Sequence, residues 1–152
     1  MWKIQLHLMK EYHTQIDIEA SPKHIWKELV DFEQYETWNP LVKYLKGDLR
    51  KGGSIRMFII PLNQEFKATL TAWEQNKELT WLGIRFGSLK FLLSGEHYFR
   101  IESTGEGRSR LYHGEYFRGW FSAFIPKKLL KKMKNTFEAH NQELKKRIED
   151  GK

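Results

Sequence analysis

Cysteine is absent from the 152-residue sequence, and its absence excludes several kinds of site at once. No disulfide framework, thiolate nucleophile or cysteine-based metal centre can form. The same absence is consistent with a reducing compartment.

Long apolar runs are absent as well, since none approaches the roughly 20 residues that span a bilayer. The opening stretch, MWKIQLHLMKEYH, alternates apolar and charged residues and lacks the continuous apolar core of a signal peptide. We therefore predict a cytoplasmic protein with no transmembrane segment.

The sequence also lacks the motifs of several common activities. It contains no phosphate-cradling glycine loop, nucleophile elbow or dinucleotide fingerprint, and no helix-turn-helix or RNA-binding signature. We therefore expect no cofactor and no nucleic-acid partner. Because no internal repeat or flexible linker divides the chain, we predict a single domain over residues 1–152.

Aromatic residues, in contrast, are abundant. Hydrophobic residues make up 40% of the chain and aromatic residues 14%, with ten Phe, six Trp and six Tyr. This composition excludes a disordered chain. The aromatic supply exceeds the needs of a small core and would suit the lining of an apolar cavity.

Positive charge is concentrated at the end of the chain. The formal net charge is +7, and residues 126–152 hold nine Lys or Arg against four Asp or Glu. Such a segment can bind nucleic acid or anionic lipid, but most charged runs are solvated helix faces, which is the interpretation we prefer.

Turn signals divide the first part of the chain into a strand and two helical segments. The stretch KEYHTQIDIE alternates as a strand does, with Tyr12, Ile16 and Ile18 on one face. Ser21 and Pro22 favour a helix start before HIWKELVDF, and a shorter segment, YETWNPLVKYL, follows.

About six antiparallel strands and a long helix complete the pattern. The later strand patterns are SIRMFIIP, EFKATLTAWE, LTWLGIRF, FLLSGEHYFRIES and SRLYHGEYF, with turns at 51–53 and 87–88 and a bulge or bend expected at Gly95. Residues 126–149 carry one apolar stripe at helical spacing, formed by Leu129, Met133, Phe137, His140, Leu144 and Ile148. Such a helix needs a sheet to pack on.

The strand at 109–118 poses a specific problem, because neither face is purely apolar. One face carries Leu111, His113, Glu115 and Phe117, and the other carries Arg110, Tyr112, Tyr116 and Arg118. An inward histidine and glutamate must be hydrogen-bonded, paired or solvated. On the preceding strand, His97 shares a face with Phe99 and Ile101, so strand pairing can bring it close to His113 and Glu115.

Three passages resemble the START/Bet v 1-like superfamily, also called SRPBCC or polyketide cyclase/dehydrase-like. They are ASPKHIWKELVDFEQYETWNP, the paired strands GEHYFRIE and SRLYHGEYFRG, and the final FEAHNQELKKRIE. The resemblance implies an α+β helix-grip fold. In it, a curved antiparallel β-sheet wraps around the long C-terminal helix, two short helices follow the first strand, and a cavity lies between sheet and helix.

The resemblance implies binding of a lipid-, polyketide- or aromatic-type molecule in that cavity. The predicted ligand-contacting residues are Trp38, Asn39, Met57, Trp81, His97, Phe99, His113, Glu115, Phe117, Met133 and Phe137. A buried His–Glu network that only fixes strand register is an equally weighted interpretation, and an inward face carrying Tyr112 and Tyr116 is a third. For Asn39 we favour a turn role, and for His140 a satisfied core position.

Other functions stay open at this stage. One is a cyclase- or hydratase-like enzyme in which His113 and Glu115, with His97 as a further candidate, move protons. Another is an interaction module that uses the basic final helix, so peripheral membrane contact stays open. Two histidines and a glutamate could also ligate zinc, but no local metal motif supports this and we predict no metal site. We expect a monomer or a homodimer.

Overall fold

The computed structural model of the protein describes residues 9–84 and 93–151. The strands are β1 (Met9–Ile18), β2 (Val42–Gly47), β3 (Ser54–Ile59), β4 (Gln64–Glu74), β5 (Glu78–Ile84), β6 (Ser94–Gly105) and β7 (Arg108–Arg118). The α-helices are α1 (Pro22–Leu29), α2 (Tyr35–Trp38) and α3 (Lys127–Asp150). Short 3-10 helices cover Phe32–Gln34, Ile60–Leu62 and Trp120–Phe124. The turn expected at 87–88 lies outside the described residues.

The seven strands form one antiparallel sheet in the order β1-β7-β6-β5-β4-β3-β2. The sheet curls around α3, which confirms the predicted helix-grip fold. Alternation along the strands points one set of side chains toward α3, and these form a continuous core with the apolar stripe of the helix. No helix of the described residues is both long and apolar enough to cross a bilayer.

The start of α1 follows the predicted signals. Ser21 caps the helix by accepting a hydrogen bond from the His24 backbone N–H at 3.4 Å, and Pro22 occupies the first helical turn. The helix buries Ile25, Trp26 and Leu29, and its Glu28 accepts a 2.7 Å hydrogen bond from Arg147 of α3. This contact ties the first helix to the last.

One local prediction was wrong, and a second was wrong in part. The segment after α2 was interpreted as part of a short helical stretch, but Val42–Gly47 forms the edge strand β2, paired with β3. Pro40 ends the helix and biases the preceding residue toward an extended backbone, so the chain leaves α2 already extended. Of the bulge or bend predicted at Gly95, the bulge is absent, because this residue pairs in register with Gly83 on one side and Phe117 on the other.

The turn from α2 into β2 depends on Asn39, which is buried. Its side-chain oxygen accepts hydrogen bonds from the backbone N–H groups of Leu41 and Val42, both at 2.9 Å. These two donors lie at buried positions where water cannot replace the amide. The turn role favoured for Asn39 therefore has a physical basis.

We expect Asn39→Ala to lower the free energy of unfolding by about 2–4 kcal/mol, because two buried backbone donors lose their acceptor. The matched control is Thr37→Ala, two residues away, which removes an exposed hydrogen bond to the Gln34 carbonyl. Urea unfolding measures both variants. Equal, small effects of the two substitutions would contradict the role of Asn39.

Candidate functional site

The structure brings His97 and His113 together on the inner face of the sheet. In the register of β6 and β7, His97 lies opposite Glu115, and Phe99 lies opposite His113. Both histidines are buried, and their Nε2 atoms are 2.9 Å apart. The inner face of β7 is therefore the one that carries Leu111 and His113, while Tyr112 and Tyr116 belong to the opposite face.

A chain of hydrogen bonds fixes the protonation of both rings. The Thr14 hydroxyl donates to the His113 carbonyl at 2.7 Å, so it must accept from the Asn141 amide nitrogen at 2.8 Å. The Asn141 oxygen then faces His113 Nδ1 at 2.8 Å, and that nitrogen carries the proton. With His113 neutral, its Nε2 accepts from the Nε2–H of His97.

Stacked aromatic rings enclose this chain. The His113 ring lies between Phe99 and Phe137, with centroid distances of 4.1 and 4.0 Å. The His97 ring stacks on Trp81 at 4.2 Å. These rings exclude water and leave no room for a counter-ion.

Burial lowers the pKa of all three interior histidines. The pKa values of His97 and His113 fall well below 6.5, first because burial disfavours the charged ring and second because His140 is nearby. Burial lowers the pKa of His140 to about 4. All three rings are therefore neutral at pH 7, in agreement with the hydrogen-bond chain.

His140 differs from its neighbours because its ring is fully buried but unpaired. Neither ring nitrogen has a hydrogen-bond partner among the described residues, and the same holds for Trp38 Nε1 and Asn39 Nδ2. The Trp38 and His140 rings lie 5.2 Å apart. The predicted core position of His140 is confirmed, but by hydrogen-bond geometry its ring is not satisfied, and only the adjacent Asn141 side chain partly counters the lowering of its pKa.

Glu115 pairs with Tyr12 rather than with a histidine. The Tyr12 hydroxyl donates to Glu115 Oε2 at 2.7 Å across the β1–β7 pair. The residue is partly buried, and loss of solvation raises the pKa of its carboxyl group to about 7. Burial and then the neighbouring carboxylate raise the pKa of Tyr12. Glu115 can therefore gain or lose a proton near neutral pH.

Gly95 leaves the space that Glu115 and Phe117 occupy. A β-carbon at Gly95 would lie 2.8 Å from Glu115 Oε1 and 3.4 Å from a Phe117 ring carbon. The first distance is below normal contact, so a β-carbon would displace the Glu115 carboxyl group from its present position. Gly95, where a bulge or bend was predicted, thus leaves room for two predicted site residues.

Burial changes along the inner face between its two ends. Ile101 and Leu111 are buried at one end of β6 and β7, together with Leu144 and Ile148 of α3. At the other end, inward-facing residues are only partly buried, namely Gly95, Glu115, Phe117, Leu129 and Leu130. We name these five residues the open end of the interior.

The remaining predicted site residues are part of the core. Met57, Trp81, Phe99, Met133 and Phe137 are buried and belong to one hydrophobic cluster, against which the partly buried Trp38 packs. Two surface grooves of about 610 and 460 Å³ lie among the described residues, and neither is lined by a predicted site residue. Within residues 9–84 and 93–151, no three acidic or histidine side chains are arranged to hold a metal ion.

Sequence reasoning missed the groups that orient the histidines. Thr14 shares the inner face of β1 with Tyr12 and Ile16, so strand alternation alone could have placed it inward. Asn141 follows His140 directly, at the edge of the apolar stripe of α3. A polar residue at that position could have been predicted to face the sheet and to need a hydrogen-bond partner there. Tyr12 was grouped with Ile16 and Ile18 on one face of β1, but its contact with Glu115 was not predicted.

The shifted pKa values predict a strong loss of stability in acid. The three histidines have lowered folded-state pKa values, so the stability they confer is complete above pH 6.5 and is lost as the pH falls. Glu115 acts in the opposite sense, because its raised pKa favours the folded state below pH 7. On acidification the unfolded chain takes up three protons at the histidines, while the folded chain takes up one at Glu115. The free energy of unfolding should therefore decrease by about 2 kcal/mol per pH unit between pH 6 and 5.

Urea unfolding at a series of pH values measures this slope. His140→Leu removes one of the three shifted histidines, so its slope should be smaller by about 1 kcal/mol per pH unit. A buried residue without an ionisable group provides the control, since Leu144→Ala removes core packing but no titrating group and should leave the slope unchanged. A wild-type free energy that does not vary over this range would contradict neutral, buried histidines.

Comparison with known proteins agrees with this architecture. The family model described as "Polyketide cyclase / dehydrase and lipid transport" matches residues 9–149. No curated protein sequence matches the chain.

Solved structures with the same fold come from distant organisms. A START superfamily protein from Mycobacterium smegmatis is 20% identical with a TM-score of 0.71, over 93% of this chain and 99% of that chain. A hypothetical protein from Helicobacter pylori is 14% identical with a TM-score of 0.75, over 93% and 89%. A norcoclaurine synthase from Thalictrum is 12% identical with a TM-score of 0.65, over 94% and 96%. These likenesses show the fold, and the family model, which spans nearly all of the chain, shows that it belongs to the polyketide cyclase/dehydrase and lipid transport family.

Proposed function

We propose that the chain binds a small hydrophobic molecule between the sheet and α3, at the open end of the interior. The observation that carries this proposal is the change in burial along one continuous inner face. A core that served stability alone would gain by burying Phe117 and the two leucines fully, at about 25 cal/mol per Å² of apolar surface. An apolar ligand gains the same free energy by covering them.

The polar group at this end suggests what the ligand carries. Glu115 presents a carboxyl group with a pKa of about 7, held by Tyr12 and surrounded by apolar side chains. A hydroxyl or amine on an otherwise apolar molecule can donate to this carboxyl group. A few oriented polar groups among apolar walls are typical of small-molecule sites.

His97 and His113 have a supporting role in this proposal. Both ring nitrogens of His113 are already hydrogen-bonded, one to Asn141 and one to His97. A ligand could use them only by breaking that chain. The two histidines therefore position the strands and rings behind the ligand, while Glu115 and Phe117 contact it.

The proposal predicts that Gly95→Ala weakens binding of a neutral aromatic probe, 1-aminoanthracene, by about tenfold or more. The added methyl group would occupy the space between Glu115 and Phe117. The matched control is Gly83→Ala on the adjacent strand, where a β-carbon meets only ordinary contacts of 3.8 Å or more. Fluorescence titration measures both affinities, and circular dichroism checks the fold.

Two results would contradict the proposed site. Equal probe affinity in both glycine variants and in the wild type would place binding elsewhere. Absence of probe binding together with an empty protein in native mass spectrometry would exclude an accessible apolar site of this kind.

An acid–base enzyme is the second candidate, and the raised pKa of Glu115 favours it. A carboxyl group that titrates near pH 7 can take a proton from a substrate and return it at another position. Hydrogen bonding favours Glu115 over His113 for this role, since both ring nitrogens of His113 already have partners. Tyr12 would hold the carboxyl group in place.

Glu115→Gln separates the two candidates. An enzyme should lose at least a hundredfold in turnover while the probe still binds, because the amide cannot transfer the proton. Incubating both proteins with a small-molecule cell extract and comparing them by mass spectrometry measures this. Compounds consumed by the wild type alone would establish catalysis, and identical profiles would leave the binding function.

A further inference from the structure

Three aromatic side chains are exposed in the short segment between β7 and α3. Trp120 is 65% exposed, Phe121 41% and Phe124 79%. They belong to a 3-10 helix of five residues, which holds them outside the core instead of leaving them in a flexible tail. Exposed rings of this size cost solvation free energy, so a cluster of three indicates a contact surface.

Lysines follow these rings directly. Lys127, Lys128, Lys131 and Lys132 are exposed on the first two turns of α3, and residues 119–137 contain no Asp or Glu. Among the described residues, none of the four forms an ion pair. Positive charge near the start of a helix opposes the helix dipole, so these lysines do not stabilise α3 itself. We name the three aromatic residues and four lysines the aromatic–lysine surface.

An apolar groove extends this surface on its other side. Lys132 Nζ donates to the Pro61 carbonyl at 3.3 Å, which places the 3-10 helix Ile60–Leu62 beside α3. Ile60 and Leu62 are exposed there. The groove of about 610 Å³ lies between α3 and the Ile60–Pro61 segment, and its lining includes Lys128, Lys131 and Lys132.

We infer that the aromatic–lysine surface docks on an anionic lipid bilayer. Tryptophan and phenylalanine rings partition into the interface between headgroups and acyl chains, and lysines are attracted to anionic headgroups. Aliphatic Ile60 and Leu62 continue the apolar area and would insert with the rings. This inference does not depend on the proposed ligand site.

A bilayer fits these observations better than RNA does. Single-stranded RNA binds flat aromatic faces on which its bases stack, whereas Phe121 and Phe124 pack edge to face at 6.3 Å. The exposed side chains of Ile60 and Leu62 can neither hydrogen-bond nor stack with a base, and they carry no charge to bind a phosphate. The basic residues of the surface are all lysines, which act as point charges and do not provide bidentate recognition.

The test is flotation of the full chain with vesicles of phosphatidylcholine, alone or mixed equally with phosphatidylserine. The wild type should float with the anionic vesicles and not with the neutral ones. The triple variant Lys128→Glu, Lys131→Glu, Lys132→Glu should bind on the order of a hundredfold more weakly, since each lysine near an anionic surface contributes about fivefold.

A second triple variant controls for net charge. Lys51→Glu, Lys67→Glu and Lys146→Glu change the formal charge equally at exposed positions outside the surface, and should retain binding. Brominated lipid should quench tryptophan fluorescence in the wild type, and less in Trp120→Phe. Equal loss in both triple variants, absence of flotation, or tighter binding to a single-stranded RNA oligomer would each overturn the inference.

Discussion

The inner architecture depends on one chain of hydrogen bonds, in which four polar side chains buried between sheet and helix supply each other's partners. The His113 ring lies between two phenylalanines and has no access to water, so Asn141 and His97 supply its two partners. The Thr14 hydroxyl can only accept a hydrogen bond from Asn141, so the amide nitrogen of Asn141 must face Thr14 and its oxygen must face His113. This chain joins β1, β6, β7 and α3, and therefore sets the register at which the helix lies on the sheet.

The fold was largely predictable from the sequence, since strand alternation and helical spacing are local patterns. The pairing of His97 with His113 also followed from alternation on two neighbouring strands. The orienting partners did not, because Thr14 and Asn141 are 127 residues apart and meet only after the chain has folded. Sequence proximity suggested a His113–Glu115 pair, but the carboxyl group instead reaches across to Tyr12 on β1.

Packing explains the other difference between expectation and structure. The aromatic residues expected to line a cavity mostly stack on one another and on the histidines. Composition fixes how many rings a chain has, but whether they enclose space or fill it depends on their mutual geometry. Instead of a cavity lined by aromatic rings, the described part of the chain has an interior whose side chains are fully buried at one end and partly buried at the other.

The aromatic–lysine surface and the open end of the interior are neighbours along the chain. β7 runs from Glu115 and Phe117 into the segment that holds Trp120 and Phe124, and α3 then returns with Leu129 and Leu130. A bilayer contacted by the exposed rings would therefore lie close to the partly buried residues. An apolar ligand could pass between the membrane and the interior over a short path, without exposing its full surface to water. The open end of the interior and the aromatic–lysine surface therefore lie on the same stretch of chain. Ligand binding and membrane docking would take place side by side there.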